Sequence, residues 1–120
     1  MEEEQGFVER RRFPRYAVRY MAKVSKGEKD LFGTIIDISE GGLGILLPEI
    51  FPIGTELTLK IKSLIEGEIS EIALNARLVW MHDEEFTNGM YRGGLEITEI
   101  SQEALDMLKD HIQSLDEQGQ

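Results

Sequence analysis

The stretch Leu31-Phe32-Gly33-Thr34-Ile35-Ile36-Asp37-Ile38-Ser39-Glu40-Gly41-Gly42-Leu43-Gly44-Ile45-Leu46-Leu47 reads as two strands joined by a tight turn. Leu31 to Ile38 is apolar and β-branched, the composition that packs well on a pleated surface. Ser39-Glu40-Gly41-Gly42 interrupts it with residues suited to a turn, where glycine permits positive φ. Leu43 to Leu47 then resumes as a strand. On the strand before the turn, i and i+2 share a face. With Ile36 and Ile38 directed inward, Asp37 and Ser39 are expected outside, beside the glycines.

Working outward, the same period of two recurs. Upstream, Val18, Tyr20, Ala22 and Val24 share one face, with Arg19 and Lys23 on the other. Ser25 to Asp30 reads as a turn. Pro14 biases Phe13 toward extended geometry, so residues 10–16 are expected to form an extended arm, preceded by a frayed terminus at 1–9. Downstream, Pro48 to Gly54 is a loop, and Thr55 to Lys62 alternates through Leu57, Leu59 and Ile61. Glu71 to Met81 alternates through Ile72, Leu74, Ala76, Leu78 and Trp80. His82 to Gly89 is expected to be a polar loop, and Met90 to Ile97 the last strand.

The period then changes. Ser101 can cap a helix whose stripe is Leu105, Leu108, Ile112 and Leu115, with Ile100 and Leu105 at staple positions. The expected fold is mainly all-β, a six-stranded antiparallel β-barrel with a C-terminal α-helix. One domain spans 17–115, with the helix at 101–115 and a polar tail at 116–120.

Composition narrows the function. The 120-residue chain has no cysteine, which removes disulfides, thiolate nucleophiles and cysteine zinc sites. No run approaches ~18 apolar residues, and the first residues are acidic where a signal peptide would be basic and then apolar. A cytoplasmic protein without membrane insertion is expected. The formal charge is −10, which opposes general binding of nucleic acid or anionic membranes. Its distribution is uneven. Residues 10–26 carry Arg10, Arg11, Arg12, Arg15, Arg19, Lys23 and Lys26 and no acid, so the remaining 6 basic residues face all 23 acidic ones, a balance of −17. A concentrated cationic segment on an acidic body suits a small anionic ligand held locally. It suits equally a solvated arm pairing with that body.

Two clusters carry chemistry. Arg10-Arg11-Arg12-Phe13-Pro14-Arg15 places arginines as RRxxxR. Each guanidinium is a planar five-donor fork that matches phosphate oxygens and the O6/N7 edge of guanine. Asp37-Ile38-Ser39-Glu40-Gly41-Gly42 is a DxSxxG turn. Asp can accept from guanine N–H groups, Ser can donate to a phosphate oxygen, and glycine allows close backbone approach. Alternatively, the aspartate and serine simply hold the turn.

Taken together, the RRxxxR arm, the DxSxxG turn 22 residues further on, the continuation Gly42-Leu43-Gly44-Ile45 and the late strand Tyr91-Arg92-Gly93-Gly94-Leu95-Glu96-Ile97 resemble the PilZ family over nearly the whole chain. The resemblance implies a six-stranded barrel with a C-terminal helix that binds cyclic di-GMP. Carried over by position, Arg10, Arg11 and Arg15 would hold guanines and phosphates, and Asp37, Ser39 and Gly42 would complete the site. In the family, an arginine directly before the RxxxR core tends to accompany binding of an intercalated ligand dimer, and Arg10 holds that position. The expected role is a receptor that signals to a downstream protein, with no other cofactor; no metal is expected, and no enzymatic activity, since no serine has a plausible base and orienting acid nearby in the pattern.

Two other functions compete with this one. A PilZ-like interaction module could work by protein contact without nucleotide, and a small barrel with a basic arm could bind single-stranded nucleic acid, although the acidic body opposes the latter. Elsewhere, His82 and His111 are not paired at metal spacing, and His111 is expected on a solvent-exposed part of the helix. Trp80 is expected in the core or at the barrel rim.

Overall fold

A computed structural model of the chain describes residues 14–65 and 68–118. Six strands form one antiparallel sheet: β1 (Tyr16–Lys26), β2 (Lys29–Ile38), β3 (Gly42–Leu47), β4 (Glu56–Ile65), β5 (Glu68–Thr87) and β6 (Met90–Glu99). The spatial order β1-β2-β3-β6-β5-β4 closes on itself because β1 also pairs with β4. Closure removes free strand edges and leaves one interior to fill.

The expected alternation fills that interior. Ala22 and Val24 from β1, Leu57, Leu59 and Ile61 from β4, and Ile72, Leu74, Ala76 and Leu78 from β5 are all buried in one core. Burying each large aliphatic side chain contributes about 1.5–3 kcal/mol relative to exposure. The helix α1 (Gln102–Gln118) adds Ala104, Leu108 and Ile112 to the same core. Ser101 caps it: the Ala104 N–H donates to Ser101 Oγ at 3.0 Å. Ile100 and Leu105 both pack against the core, as expected of a staple. The helix continues three residues beyond Leu115, into the segment expected to be a tail.

The segment His82 to Gly89 is not a loop. β5 runs on to Thr87 and turns back into β6 through Asn88 and Gly89 alone, with φ of 50° and 77°. Positive φ at both central residues gives the turn whose twist suits a hairpin, and Asn-Gly is the pair that tolerates it best. The polar side chains of this stretch lie on the part of β5 that runs past the end of β4, so they lack the apolar alternation of a core strand.

Two of the bulges in the sheet decide which side chains reach the outer face of β2 and β5. Opposite β3, Ile35 pairs with Ile45 and Asp37 with Gly44, so Ile36 is the extra residue. Ile35 and Ile38 are therefore the buried pair, in place of the expected Ile36 and Ile38. Opposite β6, Leu78 pairs with Leu95 and Trp80 with Gly94, so Val79 is extra and the inward stripe of β5 ends at Leu78. A bulge adds one residue to one strand and re-aims the side chains beyond it. Asp37 and Trp80 each come directly after such a bulge.

Candidate ligand platform on the outer face

Asp37 has the same parity as the buried Ile35, and the bulge at Ile36 turns it to the outside. There it meets Arg15, whose Nη1 donates to Asp37 Oδ1 at 2.7 Å. Arg15 lies just ahead of β1, so this pair ties the end of the arm to the end of β2. The Asp37 side chain keeps only 19% of its exposure, against 38% for Arg15.

The carboxylate is half sunk because it lies over Gly44. A β-carbon built on Gly44 would come within 2.8 Å of Asp37 Cγ. Beside it, Gly44 pairs with Gly94 of β6. A β-carbon on Gly94 would lie 2.7 Å from Cδ1 of Trp80, and closer still to its Nε1. The expectation that Trp80 belongs to the core or rim is thus corrected: the bulge at Val79 swings the indole outward, flat over Gly94. Two neighbouring glycines let a carboxylate and an indole lie down side by side on the sheet, about one strand spacing (~4.8 Å) apart. No signal in the alternating pattern marks Trp80 as external. The Gly93-Gly94 pair opposite it is the clue that the sequence offers.

The platform continues along β6. The Arg92 guanidinium lies 5.9 Å from the Trp80 ring centroid and 5.7 Å from that of Phe86. His82 also packs against Trp80, with ring centroids 4.9 Å apart. Among the described residues, no group of three or more His, Asp or Glu gathers as a metal site.

Ser39 does not stand outside. It is 5% exposed, and its Oγ accepts from the N–H groups of Gly41 and Gly42 at 3.3 and 3.2 Å while lying 3.3 Å from the Gly42 carbonyl. The hydroxyl is spent inside the turn, as serine commonly is. Gly42 is buried too, and neither it nor Gly41 has positive φ. Glycine is needed at position 42 for a different reason: a β-carbon there would strike the Leu95 carbonyl oxygen at 2.7 Å. Arg10 and Arg11 lie outside the described residues.

A PilZ domain profile matches residues 9–114, from the arm through most of α1. The chain belongs to the PilZ domain family. Solved PilZ structures share its fold at low identity. The PilZ domain of YcgR from Escherichia coli with c-di-GMP is 19% identical, covers 92% of this chain and 94% of that one, and superposes with a TM-score of 0.69. The Bacillus subtilis inhibitor of motility, MotI/DgrA, is 21% identical with a TM-score of 0.72. The match covers 85% of this chain but 48% of that one, so this PilZ chain spans about half the length of that relative. The PilZ domain of CeSA from a cellulose-synthesizing bacterium is 21% identical over 86% of this chain and 98% of that one, with a TM-score of 0.57. A comparison with curated proteins finds no match. No helix of the described PilZ residues is long and apolar enough to cross a membrane.

The remaining polar cluster sits away from the platform. His111 is 3% exposed, not solvent-facing as expected, because its helical position falls between Leu108 and Ile112 on the packed side. The Tyr20 hydroxyl hydrogen-bonds its Nε2, and the two rings meet edge to face at 5.0 Å. Burial holds the His111 pKa below 6.5 and pushes the Tyr20 phenol above 10.0. Nearer the arm, the Tyr16 hydroxyl donates to Asp116 Oδ1 at 3.0 Å. Two hydrogen bonds therefore join β1, the strand continuous with the arginine arm, to the helix.

Proposed function

We propose that this protein is a cyclic di-GMP receptor, binding the dinucleotide on the outer face of β2, β3, β6 and β5 under its arginine arm. The observation that carries this reading is the Arg15–Asp37 ion pair, which brings the last arginine of the RRxxxR motif against the first residue of the DxSxxG motif. Arg15 supplies donors for phosphate or guanine oxygen, and Asp37 can accept from guanine N–H groups. Arg10 and Arg11 would reach the ligand from the arm. Ser39 and Gly42 shape the turn that holds Asp37 in place. An isolated outward acid on an acidic protein would repel a dianion, and pairing Asp37 with Arg15 neutralises it before the ligand arrives.

The output rests on the continuity of the arm with β1. Ligand that orders the arm favours one arrangement of residues 10–16 over others, and a partner protein that contacts that arrangement reads ligand occupancy. The test is calorimetric titration of the full chain with cyclic di-GMP, reporting affinity and stoichiometry together. Saturable binding is expected, with two nucleotides per chain if Arg10 supports an intercalated dimer. Absence of binding would leave the interaction-module alternative.

A further inference from the structure

We infer that Arg92, clamped between Trp80 and Phe86, is a second base-reading arginine that holds the half of the ligand remote from Arg15. The inference rests on the cyclic di-GMP reading and deepens it. Among the described residues, the Arg92 side chain makes no ion pair or hydrogen bond, and its Nε is buried without a partner. Arg15, Lys23, Lys29 and Arg77 each find a carboxylate, whereas the Arg92 guanidinium has aromatic rings for neighbours. A guanidinium that loses water at Nε without gaining a partner is poorly satisfied in the free protein.

Its neighbours explain how it stays there. Rings on two sides attract a cation over their faces and limit its rotamers. Phe86 is 55% exposed, a large aromatic left at the surface near the turn between β5 and β6, outside the core cluster. The clamp restrains the planar fork and so lowers the ordering cost of recognition.

Position decides what Arg92 would read. It lies two residues from Gly94 on β6, on the same outer face, so it borders the platform at the end opposite Arg15. Cyclic di-GMP has two identical halves, each a guanosine joined through phosphate. A surface with an arginine at either end of a flat, glycine-floored strip presents one donor fork to each half. Stacked beside the Trp80 indole, a guanine would turn its O6/N7 edge, two acceptors in one plane, to the Arg92 fork. Adenine has an amino group where guanine has O6 and cannot accept both hydrogen bonds.

The test is a titration of the full chain and of the variants Arg92→Met and Arg92→Lys with cyclic di-GMP and with cyclic di-AMP, followed by calorimetry and by emission of Trp80, the single tryptophan. Methionine retains an apolar chain in the clamp while removing charge and donors. The expected result is at least a tenfold weaker affinity of Arg92→Met for cyclic di-GMP, little change for cyclic di-AMP, and hence a collapsed preference between them, at an unchanged melting temperature. Arg92→Lys, a point charge without the fork, is expected to fall between wild type and Arg92→Met. Equal weakening toward both dinucleotides, full recovery by lysine, or unchanged cyclic di-GMP affinity in Arg92→Met overturns the inference while leaving the receptor reading intact. A wild-type chain that binds neither dinucleotide overturns both.

Discussion

The carboxylate of Asp37 occupies the space that a β-carbon on Gly44 would need. These residues are paired across β2 and β3, and the side chain of one lies directly over the backbone of the other. The ion pair to Arg15 depends on that vacancy, so the glycine is as much a part of the platform as the acid. Gly44→Ala should force Asp37 to rotate away and cost about 1–3 kcal/mol, the usual range for overpacking. Because the clash is with one side chain, Asp37→Ala combined with Gly44→Ala should be more stable than Gly44→Ala alone. Thermal unfolding of the four proteins measures this coupling directly, and simple additivity would show that Asp37 is not what the new methyl group meets.

Arg15 is partly exposed, and exposed ion pairs contribute about 0–1 kcal/mol to folding. Removing it should therefore leave stability almost untouched while removing charge-assisted bonds to the ligand. Arg15→Ala is expected to weaken cyclic di-GMP binding by about 1.5–3 kcal/mol, roughly ten- to 150-fold. Calorimetry paired with a melting curve separates the two effects. A large loss of stability with intact affinity would place Arg15 in the fold and not in the site.

Ser39 should behave in the opposite way. Its hydroxyl serves the N–H groups of Gly41 and Gly42 inside a buried turn. Ser39→Ala leaves those donors unsatisfied and should cost about 1–3 kcal/mol of stability. At a temperature where the variant is fully folded, its affinity for cyclic di-GMP should remain close to that of wild type. A strong affinity loss in a folded Ser39→Ala protein would mean that the hydroxyl leaves the turn for the ligand.

His111 predicts a pH dependence. Its folded pKa lies below the ordinary 6.5 because burial disfavours the imidazolium. Below pH 6.5 the unfolded chain therefore binds more protons at this residue than the folded one. The stability that neutral His111 preserves is complete above 6.5, falls as pH drops through 6.5, and stops falling once the lower folded pKa has been passed. Wild type should lose more stability between about pH 7.5 and about pH 5.5 than His111→Phe, which keeps a ring against Tyr20 but does not titrate. Parallel pH profiles of melting temperature in the two proteins would contradict it.

The strands and the helix are legible in Val18-Tyr20-Ala22-Val24, in Leu57-Leu59-Ile61 and in Leu105-Leu108-Ile112, because a barrel wall and a packed helix each impose one period on their apolar residues. The two motifs are equally legible, being contiguous runs of unusual composition. The hairpin at Asn88-Gly89 is hidden by polar strands that have no core to face. Trp80 lies after a bulge, where a simple period gives the wrong side, whereas His111 falls on the packed stripe between Leu108 and Ile112 and is hidden only by its polar side chain.

By itself the amino-acid sequence determined the kind of protein: an alternating β chain with a capped helix, an arginine arm and an acid–serine–glycine turn. Only the tertiary structure decided which of those residues share a surface. Bulges at Ile36 and Val79 depend on how one strand registers against another, and register is a property of pairs of strands that no single run of residues contains. Through them Asp37 and Trp80 come to lie on adjacent glycines.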